Sequence, residues 1–135
     1  MTLVLVIGSG ARESIIIKKL LDDAKKINER VEIICIKTQE NTSVDDMCMK
    51  VYPMKYDLYE TMLQIDEEEQ EEIGFCIIGP EAPLEQQYAD YFEIQQISCI
   101  GPMQYYAQLE TSKQFCRNFL HSDTLLKKYS PKFKI

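Results

Sequence analysis

Residues 3–7 form an unbroken aliphatic run closed by Gly8, the pattern of a strand covered on both faces, as parallel strands are. Beyond the glycine the period changes. Ile16, Ile17, Leu20, Leu21, Ala24 and Ile27 recur at helical spacing with Lys18, Lys19, Asp22 and Lys25 between them, which predicts an amphipathic helix over residues 12–28. A second apolar run over 31–36 completes the order strand, turn, helix, strand, and so predicts a right-handed βαβ unit. A polar loop over 37–46, a short strand around Val51 and Tyr52 and a helix over 57–65 come next. The run over 75–78, stopped by Gly79 and Pro80, reads as another buried strand, followed by a helix over 84–94 and a strand over 97–100 stopped by Gly101 and Pro102. Residues 103–122 read as one helix. Over 127–134 and into Ile135 the positions alternate, with Tyr129, Phe133 and Ile135 apolar and Lys128, Lys132 and Lys134 charged, and Pro131 interrupts them; the expectation is an extended segment that would begin a further region. The fold class predicted is α/β: a three-layer α/β/α domain around a mostly parallel, Rossmann-like sheet.

Composition narrows the function. The 22 Asp and Glu against 15 Lys and Arg give a net charge of -7, which argues against a polyanionic partner, so no nucleic acid is expected. No stretch reaches membrane-spanning length, and residues 1–7 are too short for a signal-peptide core, so no membrane partner is expected. Cys35, Cys48, Cys76, Cys99 and Cys116 form no CxxC pair; three of them sit in apolar runs as small hydrophobes, which fits a reducing cytoplasm. The acidic stretch over 66–72 reads as a solvated helix end, and the lone His121 as a capping or surface residue.

Candidate chemistry gathers in two turns that each follow a strand. Gly8, Ser9, Gly10, Ala11, Arg12 and Glu13 stand between a strand and a helix, where backbone N–H groups and the helix dipole favour an anion such as phosphate. The third glycine of a dinucleotide fingerprint is replaced by Glu13, and Lys37 and Thr38 stand where an acidic ribose ligand would be, so a nicotinamide cofactor ranks last. Gly79, Pro80, Glu81, Ala82 and Pro83 form the second turn, expected at the same sheet edge; a carboxylate held there between prolines suits sugar hydroxyls or an amine.

Read in order, Leu5-Val6-Ile7-Gly8-Ser9-Gly10-Ala11-Arg12-Glu13 resembles the opening Val-Ile-Gly-Ser-Gly-Gly-Arg-Glu of glycinamide ribonucleotide synthetase, the phosphoribosylamine–glycine ligase of purine biosynthesis. Gly79-Pro80-Glu81-Ala82-Pro83-Leu84 matches that family's Gly-Pro-Glu-Ala-Pro-Leu loop, and the segments Ile100-Gly101-Pro102 and Ala107-Gln108-Leu109-Glu110-Thr111-Ser112-Lys113 resemble its Phe-Gly-Pro and Ala-Gln-Leu-Glu-Gly-Ser-Lys. The resemblance implies a pre-ATP-grasp domain over residues 1–122 that holds phosphoribosylamine, with 123–135 starting the linker and ATP-grasp region. It further implies that the Gly8 to Glu13 loop, Asn41 and the Glu81 loop hold the phosphoribosyl group, and that Lys113 reaches towards ATP. The family enzyme uses ATP and magnesium to activate glycine as an acyl phosphate; no cofactor and no catalysis are expected of 135 residues alone, whose partner would be an ATP-grasp domain in cis. The chain departs from the family at Ser14, where His is usual, at Ala11, and at Gln39-Glu40-Asn41 in place of Pro-Gly-Asn. Those departures motivate an alternative, a stand-alone, non-catalytic binding module, which self-association through an exposed apolar face would favour.

Overall fold

The computed structural model describes residues 1–54, 57–69 and 72–132. Strands β1 (Thr2–Ile7), β2 (Val31–Lys37), β3 (Lys50–Pro53), β4 (Ile73–Ile78) and β5 (Cys99–Ile100) make one sheet in the order β3-β2-β1-β4-β5, and every pairing is parallel. Residues 3–7 of β1 are all buried, and their alternation feeds two cores. Leu3, Leu5 and Ile7 join Ile34, Ile36, Cys76 and Ile78 on one face. Val4 and Val6 join Ile33, Cys35 and Ile77 on the other.

Two sets of helices cover those faces. Helices α1 (Ala11–Lys26) and α2 (Thr42–Met47) lay Ile17, Val44 and the half-buried Ile16, Leu20 and Leu21 on the second core. Helices α3 (Leu58–Glu68), α4 (Glu81–Glu85), α5 (Tyr88–Ile94) and α6 (Gln104–Thr111) cover the first with Leu58, Met62, Ile65, Leu84, Tyr88, Phe92 and Ala107. This is the expected three-layer α/β/α architecture, and the sheet is wholly parallel. The chain winds outward from β1 through β2 to β3, then returns through α3 to place β4 on the other side of β1. The turns after β1 and β4 therefore leave adjacent strands for opposite faces, which opens a crevice at their carboxyl ends. Among the described residues no helix is long and apolar enough to cross a membrane.

Several expected elements are corrected, each by a local cause. The polar loop over 37–46 contains α2, because the Asn41 side chain accepts the N–H of Ser43 at 3.1 Å and starts a helix. The helix expected over 84–94 is two, since Gln87 takes a left-handed conformation at φ 65° between α4 and α5. Glu81 is consequently the first residue of α4 rather than part of a loop, and Pro83 sits in the first turn, where its missing N–H costs nothing. The helix over 103–122 breaks at Ser112, whose hydroxyl accepts the N–H of Phe115 and starts α7 (Lys113–Ser122). Residues Lys127–Tyr129 form a 3-10 turn, not an extended segment; the expectations for Phe133, Lys134 and Ile135 lie outside the described residues. In the acidic stretch, Glu68 and Glu69 are not merely solvated: Lys50 contacts both, and the Tyr52 hydroxyl donates to Glu69 at 2.5 Å.

Phe92 is fully buried and locks α5 to the sheet. Phe92→Ala is expected to cost about 3–5 kcal/mol, from lost transfer energy and a residual cavity. Urea unfolding checks this; a loss below about 1 kcal/mol would mean that α5 does not carry the core contact described.

Candidate functional site

Gly8 ends β1 at φ +112°, its N–H bonded to Ile36 O at 3.0 Å, and a Cβ there would meet Pro80 Cδ at 2.7 Å. Glycine is required twice over, by the backbone conformation and by the approach of the second turn. The next residue faces inward. Ser9 is fully buried; its hydroxyl donates to Gln39 O at 2.5 Å and accepts the N–H groups of Thr38 and Gln39 at 3.1 and 2.9 Å. Its own N–H donates to Thr38 Oγ1 at 3.3 Å, and Asn41 Nδ2 donates to Ser9 O at 2.8 Å. Ser9 and Asn41 thus fasten the glycine turn to the loop between β2 and α2.

Glu13, one turn into α1, is buried at 4% exposure, and its Oε2 accepts the N–H of Gly10 at 2.7 Å. Arg12 points to the other loop: Nη1 donates to Gly79 O at 3.1 Å, and both terminal nitrogens lie 3.4 Å from Glu81 Oε1. A hydrogen bond from its own backbone, then the Arg12 charge, hold the Glu81 carboxyl below the usual carboxylate range. Gly79 closes the arrangement by donating its N–H to Ile7 O at 3.1 Å. The crevice therefore brings together the Gly8 to Glu13 turn, Asn41 behind it, and Gly79, Pro80 and Glu81 opposite; Ala82 is exposed on α4 and Pro83 is buried beneath it. Lys113 is not brought there: among the described residues no hydrogen bond or ion pair joins it to the crevice, and α7 packs on α6.

The N–H groups of Gly8, Ser9 and Gly10 are all engaged within the chain, so the glycine turn itself offers no free donor. The free donors start one residue later. Among the described residues no acceptor meets the N–H groups of Ala11, Arg12 and Glu13, the unpaired first turn of a 16-residue helix. With the Arg12 guanidinium beside it, this end of α1 suits an anion, and Glu81 suits a hydroxyl or an amine. Thr38 and Gln39 are structural partners that the sequence reading missed; the Asn-Thr-Ser run at 41–43 was the available signal for the helix that places them. Glu40, a departure from the family pattern, is paired with Lys37 at 2.7 Å, and Glu40 and then Asp45 push the Lys37 pKa up. Ser14, where the family usually has His, meets Ser43 between hydroxyls at 3.2 Å and so ties α1 to α2. The buried Cys35 thiol donates to Gly8 O at 3.3 Å, and contact with Cys48 together with burial pushes its pKa upward, so it stays protonated. A hollow of about 470 Å³ lined by Ile65, Glu69, Glu72 and Ile73 opens at the start of β4, the sheet edge opposite the crevice. Ligands of parallel α/β sheets bind at the carboxyl edge, whereas this hollow lies at the amino edge.

Fold and crevice together define a doubly wound α/β domain with its carboxyl-edge crevice at the β1/β4 switch point. The chain belongs to the family described as phosphoribosylglycinamide synthetase, N domain, whose profile matches residues 2–110. It is 36% identical over 131 residues to a phosphoribosylamine–glycine ligase of Methanocaldococcus jannaschii, covering 96% of this chain and 26% of that protein. It is 37% identical over 117 residues to the bifunctional purine biosynthetic protein purD of Dictyostelium discoideum, covering 87% of this chain and 14% of that one. A phosphoribosylamine–glycine ligase of Listeria innocua is 32% identical over 116 residues, which cover 86% of this chain and 26% of the ligase. The chain thus spans about a quarter or less of these relatives.

Glu81 contributes to stability in its charged form, since its folded pKa is depressed. That contribution is complete above the ordinary glutamate pKa of 4.5 and is lost as pH falls through the lower folded value. A carbon-detected NMR titration is expected to place the Glu81 midpoint below 4.5 in the parent, and higher in Arg12→Ala, which removes the second cause and keeps the first. An unchanged midpoint in the variant would mean that the ion pair does not form in solution.

Proposed function

We propose that this domain holds the phosphoribosyl group of phosphoribosylamine, or of glycinamide ribonucleotide, across the β1/β4 crevice, as the first domain of a phosphoribosylamine–glycine ligase. The observation that carries this is the set of N–H groups of Ala11, Arg12 and Glu13, unpaired among the described residues, at the start of α1, facing Glu81 across the switch point in a chain of this family. The phosphate meets that helix end and the Arg12 guanidinium. Glu81, opposite, accepts from ribose hydroxyls or from the amine. Binding a phosphate there draws Arg12 from Glu81 towards the ligand, an easy step because the pair is exposed and 3.4 Å long.

ATP and magnesium belong, on this reading, to the ATP-grasp region that follows in such ligases. Among the described residues no group of three or more His, Cys, Asp or Glu could hold a metal ion, and Lys113 is the one residue proposed to face the nucleotide. The domain's own part is to bind and orient the phosphoribosyl substrate.

Calorimetric titration with ribose 5-phosphate and with glycinamide ribonucleotide tests this. The parent binds both and does not bind ribose; Arg12→Ala weakens binding about tenfold or more, the scale of one charge-assisted hydrogen bond. Equal binding of ribose and ribose 5-phosphate, or none of either ligand, would overturn the assignment.

A further inference from the structure

We infer that Glu13 is a positioning residue that holds the two ligand turns in register, and that position 79 is glycine because the Glu13 side chain occupies the space a Cβ would need. The inference deepens the phosphoribosyl reading and rests on it only for the choice of ligand probe.

Four observations converge on one carboxylate. Glu13 is 4% exposed although it stands in the first turn of a surface helix. Its Oε2 fixes the Gly10 N–H at 2.7 Å, which sets the conformation of the residue immediately before the free donors of α1. Its Oε1 lies against Gly79: a Cβ built there would overlap Oε1 and stand 2.5 Å from the carboxyl carbon. Pro80, the next residue of the second turn, lies against Gly8, where a Cβ would come within 3.0 Å of Glu13 Cγ as well. The side chain therefore fills the gap between turns 66 residues apart, counting from 13 to 79, and touches both.

Length and an acceptor oxygen matter here, and the charge does not. A shorter acid would reach either the Gly10 N–H or Gly79, but not both, whereas glutamine keeps the shape and an acceptor oxygen. A methyl at residue 79 leaves the first turn untouched directly, yet it evicts the carboxylate that orders Gly10. Gly79 thus acts on the anion-binding end of α1 through Glu13.

The test is a double-mutant cycle on the whole chain, read by the Gly10 amide resonance in ¹H–¹⁵N spectra and by ribose 5-phosphate affinity. Gly79→Ala is expected to move the Gly10 amide proton upfield, as it loses its carboxylate acceptor, and to weaken binding about tenfold. Glu13→Ala does the same, and adding Gly79→Ala to it brings no further loss, because the side chain that clashed is gone. Glu13→Gln keeps affinity close to the parent's, and Arg12→Ala weakens binding without moving the Gly10 resonance. Additive losses of about a hundredfold in the double variant, or a Gly10 resonance unmoved by Gly79→Ala, would overturn the inference. If the parent does not bind ribose 5-phosphate, the phosphoribosyl reading falls, and the Gly10 resonance alone still decides the role of Glu13.

Discussion

Everything in this fold hangs on the double pairing of β1. Among the described residues it is the central strand of the sheet, paired on both sides to long partners, β2 and β4, and all its inner residues are buried. Alternate side chains of a six-residue segment supply the centre of both cores, so neither helical layer can form without it. Because β2 runs parallel to β1 and β5 parallel to β4, the β1–β2 and β4–β5 connections must cross over the sheet, and the turns that begin those crossings emerge side by side. The crevice at the carboxyl edge is a geometric by-product of how the core is assembled.

At that edge the chain solves a packing problem in an unusual place. A dinucleotide-binding turn uses a third glycine on the helix so that helix and strand approach closely. Here the helix carries Glu13 at that point, and the missing glycine is found on the opposite turn at position 79. The close approach is made from the opposite turn, and a hydrogen bond from the Gly10 N–H to the Glu13 carboxylate accompanies it.

Much of the architecture was legible from the chain alone, because buried parallel strands announce themselves as unbroken aliphatic runs. The two turns were legible too, from Gly8, Gly10 and the Gly79-Pro80-Glu81 segment. What escaped were features in which polar side chains act on backbone. The helix started by Asn41 and the break at Ser112 both depend on a single side-chain acceptor, and neither changes the hydrophobic pattern. The Gln87 break depends on a left-handed residue with no glycine to signal it. Within the turns, position in a motif did not distinguish residues that face the crevice from those that build it: Ser9 is fully buried, and Glu13 nearly so.

The Ser9 clasp carries a consequence for how such a domain diverges. Its hydroxyl holds residues 38 and 39 by their peptide groups, and Asn41 holds the turn by its carbonyls, so the clasp itself uses neither the Gln39 side chain nor that of Glu40, which pairs with Lys37 instead. Those two positions are free to drift in chemistry while the loop keeps its path. A lineage can thereby rewrite the rim of the crevice, in size or in charge, without renegotiating its frame, and the replacement of Pro-Gly by Gln-Glu in this chain is one such rewriting.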